Sequence, residues 1–120
     1  MKIAVSSQNL RTLSAHAGKA SRFYIYTIDE QTKQVTKREL LELAPPDILH
    51  NRFHKSDDPW APHPLFEVDV VITAGAGSGF VNRLATQNTQ VVITPEQDPD
   101  IAVALFLEDS LPQLPPAHHH

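Results

Sequence analysis

Asp69-Val70-Val71-Ile72-Thr73-Ala74-Gly75-Ala76-Gly77-Ser78-Gly79-Phe80 is the stretch whose reading decides the fold. Val70, Val71 and Ile72 follow one another with no polar alternation, so the strand Asp69 to Thr73 must bury both faces, as strands of parallel sheets do. A glycine-rich turn ends it. From Gly79 to Asn88, Phe80, Val81, Leu84 and Ala85 recur at helical spacing. A second continuous apolar run, Val91-Val92-Ile93 within Gln90 to Thr94, follows at once. The unit is therefore strand, helix, strand, with parallel strands and a right-handed crossover.

Working outward, Lys2 to Ser6 reads as a short apolar strand, and Ser7 to Ser21 as a polar loop with one glycine and no helical stripe. Loops beyond about 12 residues in a compact domain tend to carry function. Arg22 to Asp29 is dense in aromatic and β-branched residues, and Glu30-Gln31-Thr32-Lys33 turns it back into Gln34 to Leu43 as a hairpin. Pro45, Pro46, Pro59, Pro62 and Pro64 rule out a long continuous helix across Ala44 to Phe66, so loop with short helical turns is expected there. Asp98 is the expected N-cap of a last helix with Ile101, Ala102, Leu105 and Phe106 as its apolar stripe. The expected architecture is α/β, an antiparallel meander of three strands followed by parallel strands joined by helices. One domain over residues 1–111 is expected, then a tail over 112–120 with Pro112, Pro115 and Pro116. His118-His119-His120 is either a native end or the start of a purification tag, and is set aside.

Composition narrows the function. A chain of 120 residues, 41% hydrophobic and 20% charged, belongs with globular proteins, not with disordered ones. No apolar run approaches the roughly 20 residues of a membrane span, and Met1-Lys2-Ile3-Ala4-Val5 leads straight into a strand pattern, so the expected address is cytoplasmic. The chain has no cysteine. Disulfides, thiol nucleophiles, zinc ribbons and thiolate-held iron-sulfur clusters are excluded, and any metal must be held by histidine, carboxylate or backbone. Residues 1–28 carry Lys2, Arg11, Lys19 and Arg22 with no acid, whereas residues 96–120 carry Glu96, Asp98, Asp100, Glu108 and Asp109 with no Lys or Arg. Four cations suit a small anionic ligand better than a nucleic-acid duplex, which needs a larger basic face.

Three constellations could carry chemistry. The first is Ser14-Ala15-His16-Ala17-Gly18-Lys19-Ala20 with Arg11 before it and Arg22 after it. Gly18 permits a tight or left-handed bend, which would aim amides at a ligand beside the imidazole and the cations; the plain alternative is an ordinary surface loop. The second is Gly75, Gly77, Ser78 and Gly79 at the carboxyl end of a buried strand, where open α/β sheets bind ligands and free amides attract anions. Its G-x-G-x-G spacing departs from the dinucleotide fingerprint, and a purely structural turn is the alternative. The third is His50, His54 and His63 with Asp57 and Asp58, a candidate site for zinc or another divalent metal. It lacks the glutamate of H-E-x-x-H, and a loop with adventitious metal affinity is the alternative.

Catalytic sets are missing. The strand Ile3-Ala4-Val5-Ser6 holds no acid for a two-metal nuclease site, and no G-x-S-x-G elbow surrounds Ser6, Ser7 or Ser78. Trp60 and Phe66 flank prolines and read as satellite core.

With these pieces placed, the chain resembles the dinitrogenase iron-molybdenum cofactor biosynthesis family, the group that includes NifX, NafY and the C-terminal part of NifB. The likeness rests on Met1-Lys2-Ile3-Ala4-Val5, on Ser14-x-His16-x-Gly18-Lys19-Ala20 leading into Phe23-Tyr24-Ile25-Tyr26, and on Asp69 to Gly77 leading to Val91-Val92-Ile93. It spans about residues 1 to 109. Ala17 stands where the family usually has Phe, and prolines stand where it commonly shows a helix before the fourth strand. The resemblance implies a ribonuclease H-like motif, a five-stranded mixed sheet of order 3-2-1-4-5 with flanking helices, in a protein that is not a nuclease. It also implies binding or escort of iron-molybdenum cofactor, a precursor or a related molybdenum-containing cluster, with cofactor-assembly proteins as partners and no enzymatic activity, nucleic acid or membrane. In that strand order His16 and the glycine turn share one sheet edge and face one ligand. The alternative function is a protein-interaction or regulatory module that kept the fold without the cluster.

Overall fold

A computed structural model describes residues 1–117. The terminal histidines lie outside the described residues. The chain forms β1 (Lys2–Ser6), β2 (Arg22–Ile28), β3 (Val35–Glu42), α1 (Leu49–Lys55), β4 (Val70–Thr73), α2 (Ser78–Ala85), β5 (Gln90–Ile93) and α3 (Pro99–Leu107). One sheet of order β3-β2-β1-β4-β5 contains all five strands. β2 pairs antiparallel with both β1 and β3, whereas β1 with β4 and β4 with β5 are parallel. The fold is thus the five-stranded mixed sheet with flanking helices that the resemblance implies.

The continuous apolar runs have a direct cause. Ala4 and Val71 pack on one face with Leu49 of α1 and Phe80 and Leu84 of α2. Ile3, Val5, Val70 and Ile72 pack on the other with Ala102 and Val103 of α3. A strand between two helical layers has no wet face, so neither side of its pleat can be polar. At the sheet's outer edge β3 is largely exposed, and its polar run Thr36-Lys37-Arg38-Glu39 faces water there.

Two expectations need correction. The proline-rich insert holds a two-turn helix, α1, between 3-10 turns at Pro45–Asp47 and Pro64–Phe66, more than the turns expected. The stretch from Asp47 to Asp58 carries no proline; Leu49 is buried in the core beside the sheet, and Arg52 is buried against Ala61 of the insert itself. Tertiary burial stabilises a helix too short to form alone. In α3, Asp98 caps the helix by accepting the Ile101 N–H at 3.1 Å, as expected, but the buried residues are Pro99, Ala102 and Val103. Ile101, placed in the stripe by spacing, is exposed, because α3 turns its Ala102 and Val103 side to the sheet.

Candidate ligand-binding cleft

Because β1 and β4 run parallel side by side, the loops leaving both strands emerge at one edge of the sheet. They are joined there by short polar contacts. Ser6 Oγ donates to Thr73 Oγ1 at 2.8 Å, and Thr73 Oγ1 donates to the Ser14 carbonyl at 3.0 Å. The Ala74 N–H also reaches the Ser14 carbonyl at 3.0 Å, and the Ala17 N–H reaches the Gly75 carbonyl at 3.1 Å. Ser6 and Thr73 are fully buried, so these hydroxyls serve the joint between the loops.

Gly75 has one clear reason to be glycine. A Cβ there would stand 2.3 Å from the Ala15 carbonyl oxygen, inside any tolerable contact. No glycine among the described residues adopts a positive φ, so the left-handed bend expected at Gly18 does not occur. Gly18 sits instead in a 3-10 turn, Ala17–Lys19, with the Phe80 ring 3.4 Å from where its Cβ would be.

The two loops and α1 enclose a cleft of about 520 Å³. The first loop contributes His16, Gly18 and Lys19, and the turn after β4 contributes Gly75, Gly77, Ser78 and Gly79. α1 adds His50, Phe53 and His54, and α2 adds Arg83. Residues of the first two constellations of the sequence therefore share one cavity, and His50 and His54 of the third join them.

Five sequence-predicted residues lie elsewhere. Arg11 and Arg22 do not line the cleft; the Arg22 guanidinium is spent on the Gln8 carbonyl at 3.4 Å, and Arg11 lies in a turn closed by Asn9. Linear proximity to His16 placed them, but the chain between curls away from the cleft. His63 is buried, with Nδ1 accepting the Leu65 N–H at 3.0 Å and Nε2 2.7 Å from the Asp47 carbonyl. Burial lowers its proton affinity, and the carbonyl of Asp47 opposes that only in part. Both ring nitrogens hold the insert together, so His63 cannot join His50 and His54 as a ligand. Among the described residues no group of three or more histidines and acids is placed to hold a metal, and Asp57 and Asp58 do not line the cleft.

Sequence reasoning missed Arg83. The signal was its position four residues after Gly79 on α2, which brings its guanidinium back over the cleft and 5.2 Å from the Phe53 ring. Phe53 in turn meets Trp60 at 5.3 Å and Phe66 at 6.5 Å; Phe53 and Phe66 pack against the core as expected of Phe66, whereas Trp60, also expected in a satellite core, is exposed on top of them. The C-terminal tail makes the last rim. Ala117 donates to the Ala76 carbonyl at 2.9 Å and accepts the Ser78 N–H at 3.2 Å. Gly79 and Phe80 follow in the first turn of α2, where N–H groups have no carbonyl one turn back to bond.

Charge in the cleft has one sign. Lys19 and Arg83 are cationic, His16, His50 and His54 are imidazoles, and among the described residues no carboxylate lines it. The proton affinity of His50 is lowered by partial desolvation, then by His54, Lys19 and Lys55.

The model of the family described as dinitrogenase iron-molybdenum cofactor matches residues 1–109. The chain belongs to that family. No curated protein matches it. Among solved structures, a provisionally named dinitrogenase from Methanocaldococcus jannaschii superposes with TM-score 0.67 at 15% identity, covering 98% of this chain and 97% of that one. A provisionally assigned NifB protein from Thermotoga superposes with TM-score 0.58 at 20% identity, over 94% and 92% of the two chains. The apo form of the orange protein of Desulfovibrio gigas gives TM-score 0.57 at 17% identity, again over 94% and 92%. At such identities these likenesses show the shared fold. The β1-loop histidine and the turn after β4 thus belong to the matched part of a family fold, whereas the tail from residue 110 lies beyond the match.

Proposed function

We propose that this member of the family binds and escorts an anionic metal cluster in the cleft, as iron-molybdenum cofactor, a precursor or a related molybdenum cluster, without catalysing a reaction on it. The observation that carries the reading is the unbalanced charge: two cations, Lys19 and Arg83, beside His16, and no carboxylate among the described lining residues. A sulfide- or oxide-rich cluster brings the missing negative charge. With no cysteine in the chain, the cargo also brings its own sulfides. In this reading His16 bonds a metal atom directly, Lys19 and Arg83 supply attraction, and the first-turn amides of α2 donate hydrogen bonds to a sulfide or oxygen of the cluster. Residues 1–111 form the binding unit and cofactor-assembly proteins are the partners that load and unload it.

The test is titration with tetrathiomolybdate by absorbance and with molybdate by calorimetry, at low and high salt. His16→Ala should weaken binding at least about tenfold at both salt concentrations, the scale on which even outer contacts of a metal site act. Lys19→Ala should cost about threefold at low salt and little at high salt, as an exposed, screened charge does. Equal affinity of wild type and His16→Ala removes His16 from the site. Absence of saturable binding by the wild type overturns the reading.

A further inference from the structure

The insert brings to the cleft a feature that an anion does not explain. His50 and His54 stand one turn apart on α1, with ring centroids 4.7 Å apart and planes inclined by 52°. Both are exposed and both border the cleft. Neither shares His63's fate, because no hydrogen bond from a described residue occupies either ring, whereas both nitrogens of His63 are engaged. Two ligands each about 2.0–2.1 Å from one ion lie roughly 3 Å apart. Rings with centroids 4.7 Å apart reach that spacing when each turns one nitrogen toward the other.

The helix carrying the pair is held in place. Leu49 is buried, and the buried Arg52 side chain donates to the Ala61 carbonyl at 2.5 Å while its other terminal nitrogen lies 3.6 Å from the Asp47 carboxylate. Little backbone freedom remains to be lost when the two imidazoles converge on one ion.

We propose that His50 and His54 form a two-imidazole site for one divalent transition-metal ion of the zinc, nickel and copper class, its remaining coordination positions open to water and to a ligand in the cleft. The site uses residues that the family's β1 loop and glycine turn do not supply, and it stands independently of the anion reading.

The surrounding charge selects the class of metal. Lys19 and Arg83 line the same cavity, Lys55 follows on α1, and among the described residues no carboxylate lines the cleft. A hard ion such as magnesium or calcium, held by charge and oxygen ligands, gains nothing there. Ions late in the first transition row form strong bonds to neutral imidazole and tolerate nearby cations better.

The test uses the full chain with His118, His119 and His120 replaced by alanine, so that terminal imidazoles add no sites. Calorimetric titration with zinc at pH 7 should show one ion per chain, and magnesium should show none. His50→Ala and His54→Ala should each weaken zinc at least about tenfold, as loss of one of two ligands requires. Both side chains are exposed, and unchanged far-UV circular dichroism will show that the variants fold. In the parent, zinc should shift the ring-proton NMR signals of His50 and His54 and leave those of His63 in place. Zinc affinity unchanged in both variants, or ring signals that do not move, overturns the proposal. Molybdate and tetrathiomolybdate titrations in the presence of chelator separate the two ideas: anion binding without zinc binding sinks only the metal pair, and zinc binding without anion binding sinks only the escort reading.

Discussion

On the α3 side of the sheet, Tyr26 donates to Asp100 at 2.6 Å, and Arg38 bonds the same carboxylate at 3.1 Å while its guanidinium lies 4.6 Å above the Tyr24 ring. On the α1 and α2 side, His16, Lys19, His50, His54 and Arg83 face one cavity with no carboxylate among the described lining residues. The first cluster answers its own charges. Burial, and then the neighbouring Asp100, raise the Tyr26 hydroxyl well above its ordinary value, so it stays a proton donor throughout the accessible pH range. The second leaves like charge facing water, which is tolerable only because those side chains are largely exposed. A self-satisfied polar cluster stabilises the fold, whereas an unanswered one of a single sign asks for a partner of the other sign.

The largest effect should come from the joint that makes the cleft. Gly75→Ala drives a Cβ into the Ala15 carbonyl oxygen, which is backbone on a neighbouring loop and cannot swing away. We expect a loss of about 3 kcal/mol in urea denaturation together with lost anion binding. Gly18→Ala meets only a ring edge at 3.4 Å and should cost far less; similar losses for both would dissolve the claim that close approach selects Gly75.

Next comes His63, the histidine whose ring nitrogens both bond the backbone of the insert. His63→Ala strips the buried Leu65 N–H of its acceptor and should cost about 2 kcal/mol while leaving zinc affinity intact. The pH dependence has a definite sign. Burial holds the folded-state proton affinity below the ordinary 6.5, so the neutral form stabilises the fold above that pH. Stability is lost as pH falls through 6.5 toward the lower folded value, because the unfolded chain takes up the proton first. Denaturation midpoints measured from pH 7.5 to 5 should therefore drop in the wild type and drop less in His63→Gln.

A smaller change is expected at the self-satisfied cluster. Tyr26→Phe removes the hydroxyl from an Asp100 that remains wet and still bonded to Arg38, so about 1 kcal/mol should be lost. Anion and zinc titrations should be unaffected; a change in either would mean that the two faces communicate. Arg83→Ala should produce the smallest thermodynamic effect, under about 1 kcal/mol of molybdate affinity, and it should flatten the salt dependence. If Arg11→Ala matters more than Arg83→Ala, the cationic wall has been placed wrongly.

The linear order of residues was enough to set the strands and the parallel unit, and the family resemblance supplied their order in the sheet. Val70-Val71-Ile72 and Val91-Val92-Ile93 can lie only where both faces are dry, and the pleat's two-residue period turns that into parallel strands with helices on both sides. The meander and the α3 cap at Asp98 were legible because each depends on neighbours in sequence, whereas the meeting of the His16 loop with the glycine turn followed from the strand order that the family resemblance implies. What the insert does was not legible. Prolines spaced through Ala44 to Phe66 forbid a long helix, yet they say nothing about a two-turn helix whose stability comes from burying Leu49 against distant parts of the chain and Arg52 against the far end of the insert. Only tertiary packing separated three histidines of one segment, drawing His63 inside to bond the backbone while turning His50 and His54 into the cleft. The same packing replaced Arg11 and Arg22, close in sequence to His16, with Arg83, remote in sequence and near in space, because a long loop's side chains follow its folded path and not its residue count.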